Sequence, residues 1–381
     1  LSVVGAASTP DIDGKVTLYE ATVGGNVAMT GSNNSAMLAM GTIDGTVTAD
    51  ATSANNVFIM SEFTVIGDME LDAEGQNLIN ALGSNLAAVD MTAVIGNALQ
   101  LTESVTETIA MTATDGFNAA TVQNSATESI TMDAALVNAN AADINNTLNL
   151  FGQLIPDADP TQAAPTVVRT VVTGDVAMNA ENANTLNIGA EDGGVASYAN
   201  FGSATVTGAL NLTGLTNTIA VWAGTEASYT DGPSAGTEVD MRALAGSVAM
   251  SGKTNVLGVN QGALGITAGG VALTNLDANG DVIADATNRI SVADTAMLIL
   301  DEAVGGERQA VTLGSASVNL GTITPSGYYG DAALTTVQRD ADGYETYVYN
   351  WKDTTTPGVD TAAATTTNTV GISGKLYAGD L

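Results

Sequence analysis

Gly25–Asn26–Val27–Ala28–Met29–Thr30–Gly31–Ser32 is the stretch on which the reading of this chain turns. Three later segments resemble it: Thr108–Ile109–Ala110–Met111–Thr112, Asp175–Val176–Ala177–Met178–Asn179 and Ser247–Val248–Ala249–Met250–Ser251. Each places a β-branched residue, Ala, Met and a small polar residue in that order, and Gly25, Gly174 and Gly246 precede three of them. Met29, Met111, Met178 and Met250 lie 82, 67 and 72 positions apart. Side chains alternate across a strand, so Val27 and Met29 share one face and Ala28 takes the other. The expectation is one strand used four times. Its methionines are buried in sheets, and its alanines sit on a tightly packed or partner-facing side.

The flanking sequence carries the same pattern. Lys15–Tyr19 reads as a first strand, and Asp44–Gly45 as a hairpin signal between the apolar run 36–43 and a strand over 46–51. Val57–Phe58–Ile59–Met60 is apolar at every position, as expected of a strand covered on both faces. Leu78, Leu82 and Leu86 recur at helical spacing, which Gly83 weakens, so a short helix is expected within 76–89. Ile144, Leu148 and Phe151 predict a second within 140–153.

Pro156, Pro160 and Pro165 interrupt any regular element. The chain therefore divides into a β region over 1–154, a Pro-rich linker or loop over 155–166 and a second β region over 167–352. A Thr/Ala-rich stretch with a final strand follows over 353–381. Turn residues every 8–15 positions in the second half, and alternation with many glycines over 256–276, are an all-β signature. The predicted fold is all-β: repetitive, multi-stranded, mostly antiparallel sheets, sandwich or solenoid-like, with at most one or two short helices.

Composition restricts the chemistry. The 381 residues hold 41 Asp and Glu against 9 Lys and Arg, for a net charge of −32. Such a surface repels nucleic acid phosphates and anionic lipid and attracts cations. Cysteine and histidine are both absent. That removes thiol chemistry, the commonest general base near neutral pH and the commonest transition-metal ligand. No apolar run approaches a membrane helix. Aromatics are only 4% and gather near the C-terminus, which disfavours a transmembrane barrel with its aromatic girdles. The start at Leu1 suggests processing, as after removal of a signal peptide.

Few motifs suggest chemistry. Gly232–Pro233–Ser234–Ala235–Gly236 matches a nucleophile elbow, but a chain without histidine cannot activate the serine in that way. Asp277, Asn279 and Asp281, and likewise Asp340 and Asp342, alternate as calcium ligands do. Asn288 stands where a calcium loop needs glutamate, and such residues are equally those of hairpin turns. These five are the candidate metal residues. No cofactor is expected, with calcium or other divalent cations bridging carboxylates as the alternative. The recurrent methionines read as core gap fillers, and Trp222 as core. Tyr347, Tyr349 and Trp351 alternate on a strand after the loop Asp340–Gly343, on one expected face, and are the candidate interface residues. Asn33, Asn145 and Asn211 begin glycosylation-type triplets that chance also explains in so Asn- and Thr-rich a chain.

The acidic composition and the Val-Ala-Met strands together resemble the acidic surface-layer and sheath proteins of archaea, particularly the tubular sheath of filamentous methanogens. The resemblance is one of texture over the whole length, without a signature motif, so no functional residue is carried over. It implies an extracellular protein of the cell envelope, stacked in many copies into hoops or tubes, with a protective role. The expected function is that of a secreted structural protein. It self-assembles through strand edges into a sheath, surface layer or filament, with itself as partner and no nucleic acid, and it does not span a membrane. An adhesin or a viral fibre or capsid protein that binds a receptor or glycan is the alternative. An enzyme has the least support.

Overall fold

The computed structural model describes residues 2–4, 14–135, 144–155, 166–189, 204–223, 227–228, 238–239, 242–277, 283–294, 296–300, 311–313, 338–339, 345–353, 366–372 and 375–377. All regular elements among them are strands. The chain forms two compact units: Leu1–Asn149 with Thr170–Asn182, and Leu150–Arg169 with Ala183–Leu381.

In the first unit every coil repeats three strands. Val27–Gly31, Asn34–Ala39 and Thr42–Ile43 make one coil, and Val47–Ala51, Asn56–Ser61 and Thr64–Val65 the next. Each strand pairs in parallel with its counterpart one coil later. Val27 lies opposite Val47, Asn34 opposite Asn56 and Thr42 opposite Thr64. The first face continues through Met69–Ala73, Val89–Ala93, Ile109–Ala113, Ile130–Ala134 and Val176–Ala180, all in register. This is a parallel solenoid. It decides between the two architectures left open above and corrects the expectation of mostly antiparallel sheets. A stretch of 20–22 residues closes each coil from Val27 to Ile130, so a strand's neighbour is the one a coil away and not the next in sequence. Asp44–Gly45 is accordingly a corner between two faces and not a hairpin. A side chain added at Gly67 would meet the backbone of Gly45 and Thr46 at 2.6 Å, because the coils stack closely there.

The coil interior is narrow, and its columns explain the composition. On the first face one inward column runs Val27, Val47, Met69, Val89, Ile109, Ile130, Val176. The next runs Met29, Ala49, Leu71, Met91, Met111, Met132, Met178. The third holds Gly31 and then only alanines, from Ala51 to Ala180. Aliphatic side chains and methionines fill these columns, and Phe58 and Phe63 are the buried rings among the described residues. Met29, Met111, Met178 and Met250 are all buried, as the alternation predicts. Ala28, Ala110, Ala177 and Ala249 are half-buried on the outward side.

The helices expected within 76–89 and 140–153 are strands, Gln76–Leu82, Asn85–Leu86 and Asn145–Phe151. Leu78 and Leu82 point outward while Ile79 and Ala81 are buried, so the four-residue spacing combined two faces of one strand with a third face at Leu86. Val57–Met60 is covered on one side only: Phe58 and Met60 are buried and Ile59 is exposed.

The second unit repeats the scheme. Leu210, Val248, Val271 and Val311 are in register, as are Ile219, Leu257, Ile290 and Val370. Trp222 is half-buried, not core, just past a bulge after Val221. Departures from parallel pairing in this unit include Ala227–Ser228, which pairs antiparallel with Glu238–Val239. Gln153–Ile155 and Thr166–Val168, which flank the proline-rich segment, pair antiparallel. Strand Glu345–Asp353 pairs antiparallel with Thr366–Ile372 and with Gln338–Arg339, so the hairpin predicted around Asp340–Gly343 is present.

Candidate interaction surfaces

Two corners of the coil are built from polar residues. Where the first face turns into the second, each coil of the first unit places a buried asparagine: Asn34, Asn56, Asn77, Asn97, Asn118 and Asn146. Each Nδ2 donates to the Oδ1 of the next, at 2.8–2.9 Å. The same Nδ2 groups donate to first-face carbonyls; Asn56, for example, reaches Asp72 at 2.7 Å and Ala49 at 3.1 Å. The ladder thus satisfies backbone groups that a corner would otherwise bury unpaired. Asn34 begins it, and among the described residues its buried Oδ1 has no donor. Its counterpart one coil earlier is Gly14, where a side chain would collide with that carboxamide. The second unit has its own ladder, Asn184, Asn217, Asn255 and Asn288, with links of 2.9 Å.

Where the second face turns into the third, one residue per coil adopts a left-handed backbone: Glu20, Met40, Glu62, Gly83, Glu103 and Asn124. Serines follow three of them. Ser84, Ser104 and Ser125 donate Oγ–H to Leu82, Thr102 and Gln123 carbonyls. All three oxygens accept backbone N–H from the coil before, Phe63 to Ser84 at 3.4 Å, Ser84 to Ser104 at 3.1 Å and Ser104 to Ser125 at 3.0 Å. The sequence signals were an asparagine recurring at 34, 56, 77, 97 and 118 and a serine at 84, 104 and 125. The reading above passed over both in favour of the methionines.

These corners display three outer surfaces on the first unit. The first face is acidic, with Asp50 beside Asp72 and Glu70 beside Asp90 in register. The second face carries the exposed Lys15 on its first strand, Gly14–Tyr19, and no charged residue in the five strands that follow, Asn34–Ala39, Asn56–Ser61, Gln76–Leu82, Gly96–Thr102 and Phe117–Gln123. The third face carries a shallow groove of about 460 Å³ whose lining includes Thr64, Ile66, Asn85, Val105, Glu107 and Glu128.

Asp277 is exposed just beyond Leu276, while Asn279, Asp281, Asp340 and Asp342 lie outside the described residues, as does the serine motif at 232–236. Among the described residues no three Asp or Glu are grouped to hold a metal ion. Tyr347, Tyr349 and Trp351 lie opposite Ile372, Val370 and Asn368 in the antiparallel pair, and the shared face expected of their rings lies outside what is described. No described helix is long and apolar enough to cross a membrane. Comparison of the chain with family models, with curated proteins and with solved structures finds no match.

Proposed function

We propose that this chain is a structural protein that self-assembles through strand edges into an extracellular sheath, surface layer or filament, and that it is not an enzyme. The observation that carries this reading is the first coil of the solenoid. Among the described residues, strand Gly14–Tyr19 pairs only with Asn34–Ala39. The Gly14 and Glu20 N–H groups bond to Asn33 and Ala39, so by alternation those of Lys15, Thr17 and Tyr19 point away from the coil. An edge of this kind is a template for a further strand, and head-to-tail addition of identical copies yields a filament. The proposed setting is outside the cell, with divalent cations bridging the carboxylates of neighbouring copies.

Thr17→Pro tests this reading. It removes an outward donor without touching a bond inside the coil. Electron microscopy of the purified chain with calcium is expected to reveal filaments or sheets, and Thr17→Pro to shorten them while the circular dichroism spectrum is kept. Wild-type protein that stays monomeric at about 100 μM with calcium would contradict it. The groove of the third face favours the second reading, an adhesin or viral fibre that binds a glycan. Glycan binding lost on Asn85→Ala would support that reading instead.

A further inference from the structure

We infer that the second face of the first unit, uncharged over its five strands from Asn34–Ala39 to Phe117–Gln123, is a lateral docking surface for the same face of a second copy of this chain. The inference rests on the self-assembly reading for the identity of its partner, but it concerns a different contact, face to face instead of edge to edge. Within this face Met37, Ile59, Leu78 and Leu82 are 53%, 47%, 41% and 47% exposed. Met37 lies opposite Ile59, and on the next strand Leu78 and Leu82 flank Asn80, the residue opposite Ile59, with Val57 opposite Leu78. Between them lie only small or uncharged side chains, including Ser35, Ser61, Asn80 and Gln100. Isolated exposed apolar residues are ordinary; a contiguous patch on a flat sheet marks an interface.

Charge identifies the partner. The chain carries −32, and among the described residues of the first unit carboxylates lie on the first face and at the corners that rim this surface, including Glu62 and Glu103 on one side and Glu74 and Asp115 on the other. Two copies that meet by any acidic face press carboxylates together. Two that meet by this face bring apolar and neutral groups into contact and keep the charges at the rims. A basic partner would pair with the acidic rims and leave the apolar centre uncovered, and an anionic membrane would be repelled by the rims. Five strands of about six residues, at roughly 4.8 Å between strands and 3.3 Å per residue, span roughly 500 Å². Two such faces bury roughly 1,000 Å², the lower limit for a specific contact. The contact is therefore weak between single molecules and becomes firm where a polymer presents many copies in series. Because the rims repel, salt strengthens it, the reverse of an interface held by ion pairs.

Sedimentation velocity of the full chain tests this, at about 1–200 μM in 20 mM and 500 mM NaCl, on the wild type and on Ile59→Asp, Leu78→Asp and Thr92→Asp, with Thr17→Pro as the edge variant. All four substitutions are at outward positions, so circular dichroism should be unchanged. The expected result is reversible association that rises with salt, weakened at least tenfold by Ile59→Asp and Leu78→Asp and less than twofold by Thr92→Asp. That last variant adds the same charge to the first face. Wild-type protein that is monomeric at 200 μM in 500 mM NaCl overturns the inference. Equal weakening by Ile59→Asp and Thr92→Asp also overturns it, as does binding to neutral phosphatidylcholine vesicles that Ile59→Asp abolishes without any self-association. If Thr17→Pro alone removes all association, the face proposal falls and edge assembly stands. If face dimers form but no filaments, edge assembly falls and the face stands.

Discussion

Asn77 illustrates how single residues hold this fold. Its Nδ2 donates to Leu71, Thr92 and Asn97, and its Oδ1 accepts from Asn56. A buried group that loses its partner costs about 1–3 kcal/mol. Asn77→Leu strands several at once and should cost about 2–4 kcal/mol in urea unfolding, whereas Asn80→Leu, outward on the same strand, should cost less than about 0.5 kcal/mol. The left-handed corners give a second prediction. Gly83 has φ of 58°, so a β-branched side chain there is strained, and Gly83→Val should lose about 1–2 kcal/mol. Glu103, with φ of 52°, already bears that strain, and Glu103→Asn should be neutral or stabilising by up to about 1 kcal/mol. The amino acids alone indicated inward methionines, because alternation is a local property. The asparagine ladder spans coils, and its function is clear only once the corner is seen to bury first-face carbonyls.

At the scale of the element, a strand is supported by its neighbours one coil away, so its core residues act through columns. Met111 sits between Met91 and Met132. Met111→Ala should cost about 2–4 kcal/mol, because close stacking on both sides prevents collapse of the cavity. Leu82→Ala, on an exposed position, should change stability by less than about 0.5 kcal/mol. Strand existence was legible in Val27–Met29 and its relatives, but their pairing was not. Met29 and Met111 are four coils apart, and the intervening rungs hold Ala49, Leu71 and Met91, so the string that stood out marked a multiple of the true period. Leu78 and Leu82 misled for a related reason. Outward leucines on a strand imitate helical spacing when an inward one follows on the next face.

For the whole molecule, the distribution of charge matters more than its sum. The acidic composition led to the expectation of a solvated chain that avoids nucleic acid, but it did not show that five successive strands of the second face, from Asn34–Ala39 to Phe117–Gln123, carry no charge. Asparagine, serine, alanine and leucine look like ordinary spacer sequence until the register stacks Ser35, Val57 and Leu78 onto one surface. The pairing of Gln153–Ile155 with Thr166–Val168, on either side of the Pro-rich segment, depends on a register that proline content does not encode.

Excision of a single coil tests the solenoid most directly. Removing residues 69–88 joins Asp68 to Val89, sets Val47 opposite Val89 and Asn56 opposite Asn97, and closes both ladders again. Solenoid stability is roughly the sum over coils and their interfaces. The shortened chain should therefore keep its β spectrum and a cooperative urea transition at a somewhat lower midpoint. Removing only residues 69–78 puts the following strands out of register and should abolish that transition. If both deletions unfold the chain alike, or both leave it equally folded, the parallel coil described here is contradicted.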